Sequence, residues 1–435
     1  MDADAAQTAI DNIQKPIQDF CHVDSNEDGD RFVGVKADSD QAMVYFPIGY
    51  QLPETDQEIR EDIRYLIQVL GEFTSKQDRV LALNKFAAPQ TVDFPINAYR
   101  AVLEFYFSLG GKYYVETDPV FRSSPKGQQN WPRTFKNQTP LVQQSNGVNS
   151  LIYTNFTVRS STPNENKLIT TINKLCVYEA MQKLGWLYYP LTPVKPDGCP
   201  DVKTCIQIVR GKMANTFDDR KRNLFQAMLN MLEYMDEKTS EHTFYFGTDD
   251  FDHVWEKIID RAFGERNKDK YFPRTRWFLD QKKASKEKHP LMPDSIMIYD
   301  NKYYVLDAKC YKFGWTGAPD HLPNASSISK QITYGEYLEQ HFGVDPEILF
   351  NAFLMPYNMQ KNPFGLSEPF GTIGEAVSDW KSNTKYYQRI QGIVIDTRYM
   401  MYHYYGNTKR GKAMLAECVE KVKTRDPVPD PPAIT

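Results

Sequence analysis

The stretch PLMPDSIMIYDNKYYVLDAKCYKFG, residues 290–314, predicts a β-hairpin. Residues 295–299 and 303–306 are rich in β-branched and aromatic side chains, which favour strands. Between them stand Asp300 and Asn301, two residues that tolerate the positive φ angles of a tight two-residue turn. A turn of this length fixes the register, because each residue of one strand then has a single partner on the other.

This register brings two carboxylates and one ammonium together. It pairs Asp294 with Asp307 at a Cβ separation of roughly 4.5–5.5 Å, and Lys309 follows Asp307 by two positions on the same face. Ionised carboxylates this close repel each other, and a divalent cation between them would relieve the repulsion. Magnesium leaves positions for water and phosphate, and a nearby lysine can orient that water. The pattern suits phosphodiester hydrolysis; the alternative is an ordinary surface pair between Lys309 and Asp307.

Two predicted helices flank the hairpin. TDDFDHVWEKIIDRAFG, residues 248–264, has apolar residues at helical spacing, and Glu256 lies on the border of that stripe. Glu256 could reach the site as a third acid, or could be an ordinary surface residue. ISKQITYGEYLEQH, residues 328–341, predicts a second helix that carries Gln331 and Tyr334 one turn apart. The amide and the phenol could face phosphate; core packing by Tyr334 is the alternative.

The chain is predicted to contain an α/β N-terminal region followed by a second α/β unit with a mixed sheet. Strands at 348–355 and 392–399 would complete the sheet of that second unit. The predicted parts are an acidic solvated segment (1–30), an α/β N-terminal region (31–240), the unit that contains the hairpin (241–422) and a disordered Pro-rich tail (423–435).

The N-terminal region has its own local signals. The β-rich runs at 32–35 and 43–46 flank a turn cluster and predict a hairpin. TDQE, residues 55–58, is a capping box that opens an amphipathic helix. Residues 167–237 read as mainly helical, with one strand expected at 204–209.

Basic residues cluster in two segments. Residues 112–167 read as loops in which bases alternate with aromatic side chains, a composition that suits phosphate and base contacts but also an irregular surface. Residues 261–290 hold ten bases against four acids and lead directly into the hairpin, where a polyanion would be expected. The candidate DNA contacts are Arg133, Lys136, Lys282, Lys283 and Lys330.

The overall composition excludes several classes of protein. The chain has 435 residues, with 52 Lys and Arg against 56 Asp and Glu, so a bulk coat for nucleic acid is not expected. Its six cysteines form no CxxC pair, which argues against a structural zinc site and fits a reducing compartment. No apolar run is long enough to cross a membrane, and the acidic N-terminus is unlike a signal peptide. We therefore expect a cytoplasmic protein without a membrane partner.

One motif resembles a nucleotide-binding loop. GNTKRGKA, residues 406–413, nearly fits the phosphate-binding pattern GxxxxGK[ST]. Ala413 stands where Ser or Thr must ligate magnesium, so we reject this motif. Any nucleotide-driven motor must then be a separate chain.

The order of these motifs resembles a known superfamily. A helix with Glu256, PD at 293–294, DAK at 307–309 and KQITY at 330–334 is similar to the PD-(D/E)xK nucleases. More narrowly, the chain resembles the LlaJI-type restriction endonucleases, themselves similar to the nuclease subunits of McrBC-like systems. Further segments that carry this likeness are FVGVKADSDQAMVYFPIGY (32–50), NWPRTFKNQTP (130–140) and FDHVWEKI (251–258).

The resemblance implies a restriction-endonuclease-like core with a mixed sheet flanked by helices. This nuclease domain would be residues 241–422, and the α/β region before it (31–240) would recognise DNA or bind a partner. It implies a Mg²⁺-dependent type II restriction endonuclease that cuts duplex DNA at a specific sequence. Asp294 and Asp307 would be metal ligands, Lys309 would aid the water, Glu256 would be the helix acid and a further ligand, and Gln331 the glutamine after the core.

Other functions remain open at this point. The chain could be an McrC-like nuclease or an adaptor subunit that needs a separate AAA+ GTPase partner, or a structure-specific repair nuclease. A homodimer is a further possibility for cutting both strands. An adaptor would bind DNA without cutting it, and a repair nuclease would cut without regard to sequence.

Overall fold

The computed structural model describes residues 16–23, 32–37, 42–73, 94–145, 148–188, 193–237, 244–278, 290–405 and 409–426. The helices are α1 (Asp56–Phe73), α2 (Ile96–Ser108), α3 (Trp131–Asn137), α4 (Leu168–Tyr188), α5 (Val202–Ala214), α6 (Asp219–Glu237), α7 (Phe251–Phe263), α8 (Phe313–Thr316), α9 (Ala325–Phe342), α10 (Thr397–His403) and α11 (Lys409–Val419). The strands are β1 (Cys21–His22), β2 (Val33–Ala37), β3 (Ala42–Tyr45), β4 (Glu116–Ser124), β5 (Gln128–Gln129), β6 (Leu141–Ser145), β7 (Val148–Ile152), β8 (Phe156–Asn164), β9 (Phe244–Thr248), β10 (Ser295–Tyr299), β11 (Lys302–Ala308), β12 (Leu349–Tyr357), β13 (Phe370–Ala376) and β14 (Ile390–Asp396).

The chain folds as two compact units. The first combines residues 1–94 with 242–435, and the second is residues 95–241. The predicted functional division at 31–240 and 241–422 stays a prediction. Most of the predicted segment 1–30 and of the tail, together with Lys282 and Lys283, lies outside the described residues. Among the described helices, none has the length and apolarity needed to cross a membrane.

A five-stranded mixed sheet forms the centre of the first unit, in the order β10-β11-β12-β14-β13. The pairs β11/β12 and β12/β14 are parallel, and the outer pairs β10/β11 and β13/β14 are antiparallel. All nine residues of β12 are buried, as is usual for a strand covered on both faces. The α+β fold with a mixed sheet between helices, expected from the sequence, is confirmed.

Helix α9 covers the face of this sheet that carries Val305 and Leu349, against which its Tyr334 and Leu338 pack. The helix also packs very closely against Tyr387, which precedes β14. A β-carbon at Gly335 would lie 2.4 Å from the ring of Tyr387, so a side chain there would collide with the ring.

A second, smaller sheet of the first unit has the order β1-β3-β2-β9. The predicted hairpin of β2 and β3 is confirmed as an antiparallel pair. Thr55 caps the start of α1 as predicted, but Glu58 bonds to the Thr55 hydroxyl rather than to its backbone N–H, so the capping box is only half formed. The Thr55 hydroxyl donates to Glu58 Oε2 at 2.7 Å, and the Glu58 N–H donates back to Thr55 Oγ1 at 3.3 Å.

A buried ion pair joins α1 to α10. Asp62 is fully buried, and its two carboxylate oxygens accept from Arg398 Nε at 3.1 and 2.9 Å. The Tyr402 hydroxyl also donates to Asp62. A carboxylate removed from water is tolerated only when it is paired and hydrogen-bonded, so these contacts hold the N-terminal helix against the core.

We expect Asp62→Asn to lower the free energy of unfolding by roughly 2–4 kcal/mol, because Arg398 loses its buried counter-charge. The neighbouring Glu61→Gln is the matched control. Its side chain is 47% exposed, and its loss should change the free energy of unfolding by less than about 0.5 kcal/mol. Urea unfolding followed by circular dichroism measures both; equal midpoints for the two variants would contradict the assignment.

The second unit contains α2, α3, α4, α5 and α6, a three-stranded sheet β4-β8-β5 and the hairpin β6/β7. The expected loops at 112–167 are thus largely strands, because β4 pairs along its whole length with the distant β8. The expected strand at 204–209 is wrong: these residues lie in α5. Asp201 caps that helix by accepting from the Thr204 N–H, and Cys205 and Val209 form its buried face.

The strand expected at 392–399 is right only in its first part. β14 ends at Asp396, whose carboxylate accepts from the Tyr399 N–H at 2.7 Å and caps α10. The capping aspartate therefore turns a continuous β-rich run into a strand followed by a helix.

Candidate active site

The hairpin β10/β11 has the predicted register. Ser295 pairs with Leu306, and Tyr299 pairs with Lys302 at the other end. The turn residues Asp300 and Asn301 have φ angles of 48° and 58°, as a two-residue turn of this type requires. The residues just beyond the first pair, Asp294 and Asp307, therefore stand at the same end of the hairpin.

Hydrogen bonds hold the three predicted side chains at this end. Asp294 Oδ2 accepts from the Ala308 N–H at 2.8 Å, which ties it to the strand that carries Asp307. The Lys309 ammonium lies 2.7 Å from Asp307 Oδ2, and the two side chains are only 19% and 13% exposed. The structure thus brings Asp294, Asp307 and Lys309 together, as the hairpin register predicts.

The electrostatics of this cluster are unfavourable for a second negative charge. Burial, then the charges of Asp307 and Glu256, raises the pKa of Asp294 to about 8, although Lys309 opposes the shift. Burial alone would lower the pKa of Lys309, but the adjacent Asp307 and Asp294 raise it above its usual value. Lys309 therefore stays cationic at neutral pH, and the site disfavours ionisation of Asp294 beside an ionised Asp307.

Glu256 approaches the cluster from α7. The neighbouring Trp255 is fully buried and donates from Nε1 to the Leu354 carbonyl at 3.1 Å, which anchors the helix to β12. Glu256 is 39% exposed, and His253 Nδ1 lies 3.6 Å from its Oε2. Burial raises the pKa of Glu256. The positive charge of Lys309 opposes this shift, and the negative charge of Asp307 adds to it. Glu256 thus lies at the edge of the site, on the border of the buried stripe.

Gln331 and Tyr334 lie on the buried face of α9. Gln331 is fully buried, its Nε2 donates to the Ala352 carbonyl at 3.3 Å, and its Oε1 has no hydrogen-bond partner within the described chain. Tyr334 packs in the core, and burial followed by the charges of Asp307 and Asp294 raises its pKa to about 12. Core packing is therefore one role of Tyr334, while Lys330 is exposed on the same helix.

Lys268 is a supporting residue of the site that no sequence pattern pointed to. Its ammonium donates to the Asp294 carbonyl at 2.5 Å and lies 2.7 Å from Asp260 Oδ1 on α7. Lys268 thus fixes the backbone of Asp294 rather than standing free in the basic segment. No spacing rule could have found it, because its partners lie 8 and 26 positions away.

The rejected nucleotide-binding motif has a structural use in its described part. Lys412, the lysine of that motif, is buried, and its ammonium lies 3.0 Å from Glu265. Residues 406–408 lie outside the described residues. The pairing with Glu265 accounts for Lys412 without a phosphate.

The two carboxylates at one end of the hairpin, with Glu256 on α7 as a third, are candidate ligands for a hard cation. Asp294, Asp307 and Glu256 offer oxygen donors, the type that Mg²⁺ prefers. Within the described ranges, no three His, Cys, Asp or Glu side chains already stand in the arrangement of a metal site. The donor set nevertheless fits such an ion, because Asp294 carries a raised pKa that a cation between the carboxylates would lower.

Comparison with known proteins identifies the class and then the family. Residues 32–374 match the family model described as LlaJI restriction endonuclease. This match covers well over half of the chain, so the protein belongs to the LlaJI restriction endonuclease family, a family of DNA-cleaving nucleases. The resemblance noted from the sequence is thereby confirmed.

Comparison with individual proteins adds little. No curated protein matches the chain. One similar solved structure is described as a refined half-complex from a tetradecameric assembly of Thermococcus gammatolerans McrB AAA+ hexamers with bound McrC. The two chains are 11% identical over 94% of this chain and 92% of that one, with a TM-score of 0.37. A TM-score this low supports no inference about function.

We expect the stability of the metal-free protein to depend on pH through Asp294. A carboxyl with a raised pKa in the folded state stabilises the fold fully below its unfolded pKa and loses that contribution as pH rises towards about 8. Asp294→Asn should therefore gain stability relative to the parent between about pH 4 and 8, by at most about 1.4 kcal/mol per pH unit.

Thermal melts in EDTA at several pH values test this expectation. Asp300→Asn is the matched control, because Asp300 is exposed in the turn of the same hairpin. A stability difference between Asp294→Asn and the parent that stays constant across this pH range would contradict the raised pKa.

Proposed function

We propose that the protein is a Mg²⁺-dependent type II restriction endonuclease that hydrolyses phosphodiester bonds of duplex DNA at a specific sequence. The observation that carries this proposal is the meeting of Asp294, Asp307 and Lys309 at one end of the β10/β11 hairpin. Membership of a restriction endonuclease family supports DNA as the substrate. Type II action, sequence specificity and a cytoplasmic location are part of the proposal.

Asp294 and Asp307 would hold Mg²⁺ through their carboxylate oxygens, with Glu256 as a further ligand at the exposed edge. When bound, the ion would stabilise negative charge on the scissile phosphate and lower the pKa of a water molecule. The fold supports this assignment, since Asp294 is kept in place on both sides. Its carboxylate accepts from the Ala308 N–H, and its carbonyl accepts from Lys268.

Lys309 would act on the attacking water and on the phosphate. Its ammonium is held by Asp307 and remains cationic, so it can donate hydrogen bonds but cannot take the proton of the water. It would orient the water for attack on phosphorus and offset the charge that develops as the P–O bond to the leaving oxygen breaks. Gln331 would act through the backbone of β12, to which its buried amide donates.

We expect Asp307→Asn to reduce cleavage of unmethylated duplex DNA by roughly 100-fold or more, because the stabilisation supplied by the ion is worth several kcal/mol. EDTA should abolish cleavage by the parent. Asp300→Asn, in the turn of the same hairpin, is the control and should cut like the parent. Discrete fragments on a gel would in addition locate the recognition site.

Three other outcomes of that experiment decide between functions. Cleavage that persists in EDTA and in Asp307→Asn would overturn the proposed site. Intact DNA that is nevertheless shifted by binding would replace the proposal with an adaptor or with an McrC-like nuclease that needs a GTPase partner. Fragments of random length would indicate a nuclease without sequence preference.

A Mg²⁺ titration of cleavage should distinguish the role of Lys309 from that of Glu256. Lys309→Met should lower the maximal rate by roughly 10- to 1000-fold without raising the half-saturating Mg²⁺ concentration, because it contributes to the transition state. Glu256→Gln should raise the half-saturating concentration, because an oxygen ligand is lost. The reverse pattern would exchange the two roles.

A further inference from the structure

The β-rich part of the second unit carries an unusual charge. Residues 119–164 contain five basic side chains and no acidic one, in a chain whose net charge is −4. The five bases are Arg122, Lys126, Arg133, Lys136 and Arg159, and all are exposed. A surface with charge of a single sign attracts a polyanion.

These five cations differ from several others in the same unit. Within the described part of the chain, none of them forms an ion pair with a carboxylate. By contrast, Arg100, Lys167, Arg210 and Lys212 of this unit each pair with an acid; Lys167, for example, lies 2.9 Å from Asp118. The charges of residues 119–164 therefore remain available to an external anion.

Three residues form a row across the sheet β4-β8-β5. Arg159, on the central strand β8, pairs with Phe121 on one side and with Gln128 on the other. Paired residues point to the same face of a sheet, so these three side chains share one face. Arg159 and Gln128 are exposed on that face.

Helix α3 adds two more cations beside this row. The guanidinium of Arg133 stacks on the Phe121 ring at 3.7 Å, and Lys136 follows one turn later. The helix is held on the sheet by buried Thr134, whose hydroxyl accepts from the Thr157 N–H at 2.9 Å. Arg133 is thus pre-oriented, which reduces the entropy lost when it contacts a ligand.

This combination suits duplex DNA in particular. Arginine binds phosphate and the guanine edge with two parallel hydrogen bonds, and glutamine can do the same with adenine. Strands presented on a sheet can enter a groove of the duplex. We propose that the face formed by Phe121, Gln128, Arg133, Lys136 and Arg159 is a DNA-binding surface of this protein, separate from the hairpin site.

A protein partner is the competing occupant. Leu141, Val142, Leu151 and Ile152 are exposed on the hairpin β6/β7, and such side chains suit protein contacts. They belong to a different sheet from the row of Arg159, and they carry no charge that would match phosphate. Charge complementarity therefore assigns the face around Arg159 to DNA.

The experiment measures binding without cleavage. The proposal rests on DNA as the substrate, but it does not depend on the hairpin carboxylates. Fluorescence anisotropy of a labelled duplex in EDTA, at several salt concentrations, compares the full chain with Arg133→Ala/Arg159→Ala. Lys195→Ala/Lys203→Ala is the control, because it removes two exposed cations from the same unit outside this face.

We expect the arginine variant to bind about 10- to 100-fold more weakly. The slope of its log affinity against log salt should also fall by the amount expected for about two lost phosphate contacts. The control should bind like the parent. A second variant, Lys126→Ala/Lys136→Ala, leaves the stacked Arg133 in place and should also weaken binding if the surface is correct. Thermal melts verify that each variant folds.

Unchanged affinity in both the arginine and the lysine variants would overturn the proposal. It would leave this unit as a protein-binding region, while the nuclease assignment would still be judged by Asp307→Asn alone. Equal weakening by the control pair would also overturn it, because binding would then follow total charge rather than this face.

Discussion

One backbone carbonyl holds the two sides of the candidate site together. The Leu354 oxygen, on the central strand β12, accepts from the Trp255 side chain and from the Lys309 N–H. Trp255 fixes α7 and therefore Glu256, while the N–H of Lys309 fixes the end of β11. Because β12 is buried along its whole length, these two bonds form away from water, where their loss would be costly. The distance between the helix acid and the hairpin depends on this strand.

The carboxylates of the site destabilise the fold, because they are buried close to one another. Asp294 has a raised pKa because it is buried near Asp307 and Glu256, and the Lys309 ammonium compensates for only part of that charge. Such repulsion persists only where the surrounding structure imposes it, here through the Ala308 N–H and Lys268. A cation would turn the same arrangement into a favourable one, which is why the cluster is better explained by function than by stability.

Charge is distributed differently in the two units. In the first unit, Lys268 of the basic segment pairs with Asp260, and Glu265 of the same segment pairs with Lys412. This segment therefore contributes to the structure. In the second unit, the cations around Arg159 have no carboxylate partner among the described residues. The sequence suggested both segments as DNA contacts, and the DNA-binding surface proposed above lies within residues 119–164, whose five bases have no carboxylate partner among the described residues.

Local patterns in the sequence determined the hairpin, its register and the positions of Asp294, Asp307 and Lys309, because turn length and strand alternation involve only near neighbours. The same holds for the border position of Glu256 on α7. Only the tertiary structure decided that β4 pairs with β8 and that Lys268 supports Asp294. These features depend on partners far along the chain, and the free energy of such contacts is gained only when the chain has folded. The helix at 204–209 differs, because its cap Asp201 is a local signal that the strand prediction overlooked.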